Sequence, residues 1–244
     1  MNFDQTKRYV APLIAILSLG AAGARASSFS VAPIRVEVDR AHRTGVLTLR
    51  NDSDTSVVVQ VTTVAWSQDA TTGEDHYEET RDILATPPVF EVPAHGDQIV
   101  RVAMRRDADA STELPYRVYF EEVPQARTTT FNGLNVALRI GLPAFIAPAA
   151  PVNVKVDWDA AWQADGTLRL SATNLGNVHL QVTDFDVQFG TMSTHIAGSR
   201  YLLAGTHASW TVSPPVGFDR EAALHVKGFS DRGDLSADIA LTSP

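Results

Sequence analysis

Short runs of alternating, β-branched residues, each closed by a turn cluster, leave this chain little choice but an all-β fold. Gly45 precedes the run at residues 46–50, and Asn51-Asp-Ser-Asp54 closes it. Residues 56–66 are rich in valine and threonine, and the polar stretch 69–75, with Gly73, predicts a hairpin tip. Runs at 98–104, 116–123, 152–158, 168–173, 178–189, 210–212 and 223–227 repeat the pattern. No long segment carries sustained helical periodicity with caps. Many short strands separated by turns are the mark of a β-sandwich.

The composition changes at residues 143–151, Pro-Ala-Phe-Ile-Ala-Pro-Ala-Ala-Pro, where three prolines in nine residues predict a stiff connector. Strand-like runs lie on both sides of it. The expected organisation is therefore two sandwich domains, residues 27–147 and 148–244; one large sandwich is the alternative.

Residues 1–26 are expected to be a cleaved export signal. Lys7 and Arg8 form a basic start, residues 10–20 are apolar, and Ala24-Arg25-Ala26 fits the small-x-small cleavage rule. The apolar run is shorter than the roughly 20 residues a membrane span needs. The chain has no cysteine, so no disulfide and no thiol chemistry is available. Its formal net charge of −8 argues against nucleic acid as a partner, because that contact needs a basic face.

One strand stands out. Leu134, Val136, Leu138, Ile140 and Leu142 alternate with Asn135, Ala137, Arg139 and Gly141, giving one aliphatic face over nine residues. Taken alone, this is an ordinary half-buried strand. Its length, against a usual five or six residues, and its place just before the connector also fit an edge that pairs with another chain by β-augmentation.

Several stretches resemble the periplasmic pilus and fimbrial assembly chaperones, the PapD-like family, and together they span most of the exported chain. Residues 30–37, Ser-Val-Ala-Pro-Ile-Arg-Val-Glu, are similar to the family's first strand with its arginine. Residues 47–54 resemble its second strand and turn. Residues 85–96, with Thr-Pro-Pro and Pro-Ala-His-Gly, followed by 98–102, carry the most specific match. Residues 116–124 resemble the penultimate strand of the first domain, and 173–180, with Asn-Leu-Gly-Asn, a turn common in the second.

The resemblance implies two immunoglobulin-like β-sandwiches set as an L or boomerang. It implies a client, a pilin subunit lacking its last strand, and delivery to an outer-membrane usher. By position the donor strand is residues 134–142, with Leu134, Val136, Leu138 and Ile140 entering the client. Basic residues in the interdomain cleft are expected to anchor the client's terminal carboxylate. Arg35 matches the family's first-strand arginine. Pro143 stands where the best-known members carry a lysine, so Arg117 is expected to be the second anchor, with Arg139 the weaker candidate. That departure, and the short stretch between Pro124 and Leu134, point to a non-classical branch. The missing cysteines point away from members with a disulfide-tied loop there.

No catalytic motif emerges: there is no nucleophile elbow, phosphate loop or dinucleotide fingerprint. The adjacent pair Glu121 and Glu122 would point to opposite faces of a strand. The seven histidines, His42, His76, His95, His179, His195, His207 and His225, show no metal-site spacing and are expected in loops or on the surface. No metal, cofactor or enzymatic activity is expected. Self-association through the exposed strand is expected to be possible without client. The competing hypotheses are an exported structural or adhesive two-domain protein and a secreted hydrolase on a sandwich scaffold.

Overall fold

The computed structural model describes residues 28–124 and 136–241. All its regular elements are strands. In the first half these are β1 (Phe29–Ala32), β2 (Val36–Val38), β3 (Thr44–Asn51), β4 (Val57–Gln68), β5 (Asp75–Glu79), β6 (Ile83–Thr86), β7 (Val89–Val92), β8 (Asp97–Met104), β9 (Leu114–Glu122) and β10 (Arg139–Ile146). In the second half they are β11 (Val156–Trp162), β12 (Leu168–Asn174), β13 (Leu180–Phe189), β14 (Met192–Ile196), β15 (Arg200–Leu202), β16 (His207–Val212), β17 (Leu224–Ser230), β18 (Gly233–Asp238) and β19 (Ala240–Leu241).

The strands form two sandwiches. In the first, the sheet β1-β3-β8-β6 faces the sheet β2-β10-β9-β4-β5, with β7 also on β4. In the second, β16-β12-β11-β19 faces β14-β13-β17-β18, with β15 on β13. Period-two alternation fills each core. Leu47, Leu49, Val100 and Val102 of one sheet meet Val59, Val118, Phe120 and Ile146 of the other. The second core is built from Leu168, Leu170, Val182, Phe185, Val187 and Val226. Each such aliphatic or aromatic side chain, fully buried, contributes about 1.5–3 kcal/mol.

The same corner is built twice. Asn51 at the end of β3 and Asn174 at the end of β12 are both buried. Asn51 donates its side-chain amide to the carbonyls of Thr55, Val92 and Pro93; Asn174 donates to those of Val178 and Leu202. Each accepts a backbone N–H two residues on, from Ser53 and Gly176. The two turn clusters legible in the sequence are thus Asx turns whose amides tie a neighbouring strand.

Among the described residues no sheet pairing links the two sandwiches; an apolar joint does. Trp66, Phe145 and Leu203 bury against one another, with Tyr201 alongside. Gln68 at the end of β4 donates to the Tyr201 carbonyl (2.9 Å) and accepts from the Leu203 N–H (2.9 Å) and the Thr206 hydroxyl (2.8 Å). Its primary amide thereby stands in for one rung of a strand beside β15.

One expectation is corrected. Residues 143–146, read as the start of the connector, are the last half of β10. Ala144, Phe145 and Ile146 pair with β2 in parallel on one side and with β9 on the other. Pairing on both sides and burial of Phe145 and Ile146 outweigh the local proline signal.

Candidate functional site

β10 is paired on one side only over half its length. Arg139 to Ile146 all pair with β9, yet β2 covers just Ala144 to Ile146. Beside Arg139–Pro143 the other edge has no strand among the described residues. The Glu122 N–H donates to the Leu138 carbonyl, which fixes the phase of the antiparallel ladder. Arg139, Gly141 and Pro143 then fall at the positions whose backbone groups turn away from β9. The N–H and C=O groups of Arg139 and Gly141 line the open edge. Proline has no N–H to offer, and Pro143 sits where its ring nitrogen faces that edge rather than the ladder, a place where a strand tolerates it.

Both faces of this half-strand are partly covered by the chain itself. Leu142 is buried, and Leu138 and Ile140 pack half-buried against the rim of the first core. On the other face the Tyr119 ring lies so close that a Cβ on Gly141 would come within 2.6 Å of it. The Arg139 guanidinium sits 3.9 Å above that ring and pairs with Glu121. Val136 is 56% exposed. Leu134 lies outside the described residues. The strand expected over 134–142 therefore runs, as far as it is described, from Arg139 to Ile146. Of its aliphatic set, Leu138 and Ile140 are shared with the chain's own core.

Arg117 lies opposite Pro143 on the outer face of β9. Its guanidinium stacks 4.1 Å from the Trp66 ring and 5.8 Å from that of Tyr201. It has no carboxylate partner among the described residues, and its Nε is buried without a hydrogen bond. Together with Gln68, Asp75, Ser199, Arg200 and Tyr201 it lines an interdomain cleft of about 470 Å³. Asp75 in that cleft is already occupied, accepting from Trp66 Nε1 (2.9 Å), Gln68 (3.0 Å) and the Tyr77 hydroxyl (3.1 Å). An uncompensated guanidinium at the wall of such a cleft suits a carboxylate.

Arg35, immediately before β2, is differently placed. It pairs with Asp231 of the second domain and, through Nε at 3.3 Å, with Glu37. The two expected anchors thus differ: one guanidinium is committed across the domain joint and the other is open to the cleft.

His179 corrects the expectation that all seven histidines are peripheral. It is fully buried at the joint, between Glu113 of the first domain and Asp231 of the second. Burial works against its charge, but hydrogen bonds to Asp231 and Glu113 outweigh that and raise its pKa above the usual value. Burial likewise opposes ionisation of Asp231, yet hydrogen bonds from His179, the Gln181 N–H and Arg35 bring its pKa down to about 2. The only sequence signal for His179 was its place two residues after the Asn174–Asn177 turn. Its partners come from segments 66 and 52 residues away, so spacing could not reveal them.

Residues 28–151 match the model of the pili and flagellar-assembly chaperone family, PapD N-terminal domain. None of the curated proteins matches the sequence. Among solved structures, the chain resembles one in the CsuC–CsuE chaperone–tip adhesion subunit pre-assembly complex from archaic chaperone-usher Csu pili of Acinetobacter baumannii. The TM-score is 0.65 at 18% identity, covering 88% of this chain and 99% of that one. The E. coli chaperone DraB gives a TM-score of 0.61 at 18% identity, covering 89% and 98%. A chain of the Salmonella enterica SafA pilin–SafB chaperone complex gives 0.61 at 16% identity, covering 89% and 97%. At these identities the likeness is one of fold.

Proposed function

This chain belongs to the pili and flagellar-assembly chaperone family, and on that premise we propose that it works in the periplasm by lending the open edge of β10 to pilin subunits before they pass to an outer-membrane usher. The observation that carries this reading is the half-strand Arg139–Pro143, paired with β9 on one side and unpaired on the other. A client strand laid there would take up the Arg139 and Gly141 backbone groups, and Val136, Leu138 and Ile140 would offer it an aliphatic row. The mature chain would begin after the leader at residues 1–26. Solved relatives include complexes with a tip adhesion subunit and with a pilin. Without client, the same edge is available to a second copy of the chain.

The client's terminal carboxylate is assigned to Arg117. Arg35 takes part only by exchanging Asp231 for the incoming group. A charge-assisted hydrogen bond of this kind contributes about 1.5–3 kcal/mol, so Arg117→Gln is expected to weaken capture about tenfold or more for a subunit with a free C-terminus. The same subunit with an amidated C-terminus should bind wild type and variant alike. Equal loss for both forms would remove Arg117 from the anchor.

The deciding experiment is co-expression with small secreted pilins and affinity capture of the mature chain from a periplasmic extract. A stoichiometric subunit is expected, and its recovery should fall about tenfold when Val136 is replaced by Asp. Recovery of the chain alone, with every such pilin present, would favour a structural or adhesive role.

A further inference from the structure

The joint between the domains holds a closed set of charges. Arg35, Glu37 and Glu113 come from the first domain, and His179, Asp231 and Arg232 from the second. The His179 Nδ1 lies 2.6 Å from Glu113 Oε2, and its Nε2 lies 3.1 Å from Asp231 Oδ2. A neutral imidazole has one N–H and would turn a lone pair on one of these carboxylates; an imidazolium donates to both. Three carboxylates face two guanidinium groups, and the third positive charge is the one His179 can supply. Arg35 Nη1 lies 3.1 Å from the same Nε2, where a neutral ring would accept its N–H, and Arg232 Nη2 lies 3.4 Å from Nδ1; both guanidinium groups oppose a charge on the ring, and the Tyr201 ring lies 5.8 Å away. Phe145 lies flat on the imidazole, with ring centroids 3.7 Å apart and planes 9° from parallel. A cation under an aromatic face gains attraction that a neutral ring lacks. Phe145 is part of β10, two residues beyond Pro143.

We propose that His179 is a proton-operated positioning residue: as an imidazolium it draws the second domain onto Glu113 and seats the end of β10 through Phe145, and its loss of the proton loosens the joint. With the proton, a first-domain cluster of net −1 meets a second-domain cluster of net +1. Without it, that attraction is gone and one of the two carboxylates is left facing a ring lone pair. The sign follows from the direction of the shift. A group whose pKa is raised by folding stabilises the fold below its unfolded value, about 6.5, and that contribution is lost as pH rises through the folded value. Asp231 acts oppositely: its contribution is present above its ordinary range and fades as pH falls toward about 2. The joint is therefore tightest in mildly acidic solution. In the pilin-capture reading above, capture falls with rising pH.

Because the chain has no cysteine, spin labels can be placed without background at exposed positions, one per domain, through Arg101→Cys and Ser193→Cys. In the otherwise wild-type mature chain the interdomain distance distribution should be narrow near about pH 6 and broaden toward about pH 9, with Tm falling by at least about 2–4 °C. His179→Gln should be broad and lower-melting throughout, with a flattened pH profile. His179→Lys, which keeps a positive charge, should restore part of the acidic-side Tm and also titrate little over this range. Should the Gln variant fail to fold, imidazole NMR of the wild type decides: His179 must be doubly protonated near about pH 6. A neutral His179 there, a wild type whose distances and Tm ignore pH, or a Gln variant with the wild-type profile would overturn the proposal. Pilin capture is scored separately. A joint that titrates in a chain capturing no pilin would count against the chaperone reading alone.

Discussion

β10 of the first domain and β18 of the second each close their sandwich beside an antiparallel partner, β9 and β17, and among the described residues each leaves an edge open. On β18 the outward residues are Asp234, Ser236 and Asp238, and Asp238 is held by His225 at 2.9 Å. Charges along an edge discourage a visiting strand. On β10 the open half carries Ile140, Gly141 and Leu142, with Leu138 and Val136 leading into it, and its one charge, Arg139, is folded back onto Tyr119 and Glu121. The same position in two similar sandwiches is thus guarded in one and left receptive in the other. Edge protection is a matter of a few side chains, and sheet topology alone does not decide it.

The largest effect is expected where the receptive edge and the core share a residue. Ile140→Asp should abolish client capture and also destabilise the first domain by about 2–3 kcal/mol, because a half-buried aliphatic is lost and a carboxylate is placed at the core rim. Thermal unfolding should show a Tm lower by roughly 5–10 °C. An unchanged Tm would mean that Ile140 belongs to the edge alone. Val136→Asp separates the two roles. Val136 is exposed, so capture should fall about tenfold with Tm unaffected; competition binding against wild type measures it. The smallest change inverts the comparison. Asp234→Val combined with Asp238→Val removes the guard on β18 and should leave stability within about 0.5 kcal/mol, while sedimentation velocity shows new self-association. A monodisperse double variant would mean that something other than charge protects that edge.

Local pattern carried much of the architecture. The alternating runs became strands, the turn clusters became the Asn51 and Asn174 corners, and Trp158 and Trp162 went to the second core as their apolar bulk requires. The short strands β5, β14, β15 and β19 left no signal, since two to five residues carry too little periodicity to stand out. The connector was misjudged by half because proline reports on backbone freedom and not on which strands lie alongside.

The sequence by itself determined an all-β chain of short strands, an aliphatic run before the connector and, through its motifs, the family. Tertiary structure alone decided which half of β10 stays open, because that depends on where β2 stops pairing. It decided that Arg35 faces Asp231 while Arg117 faces the cleft, since the residues around each arginine do not tell which group it will meet. It also took His179 from an apparent surface residue to the centre of the domain joint. Charge clusters of this kind are assembled from segments far apart in the chain, and their energetics arise only when folding removes water from between them.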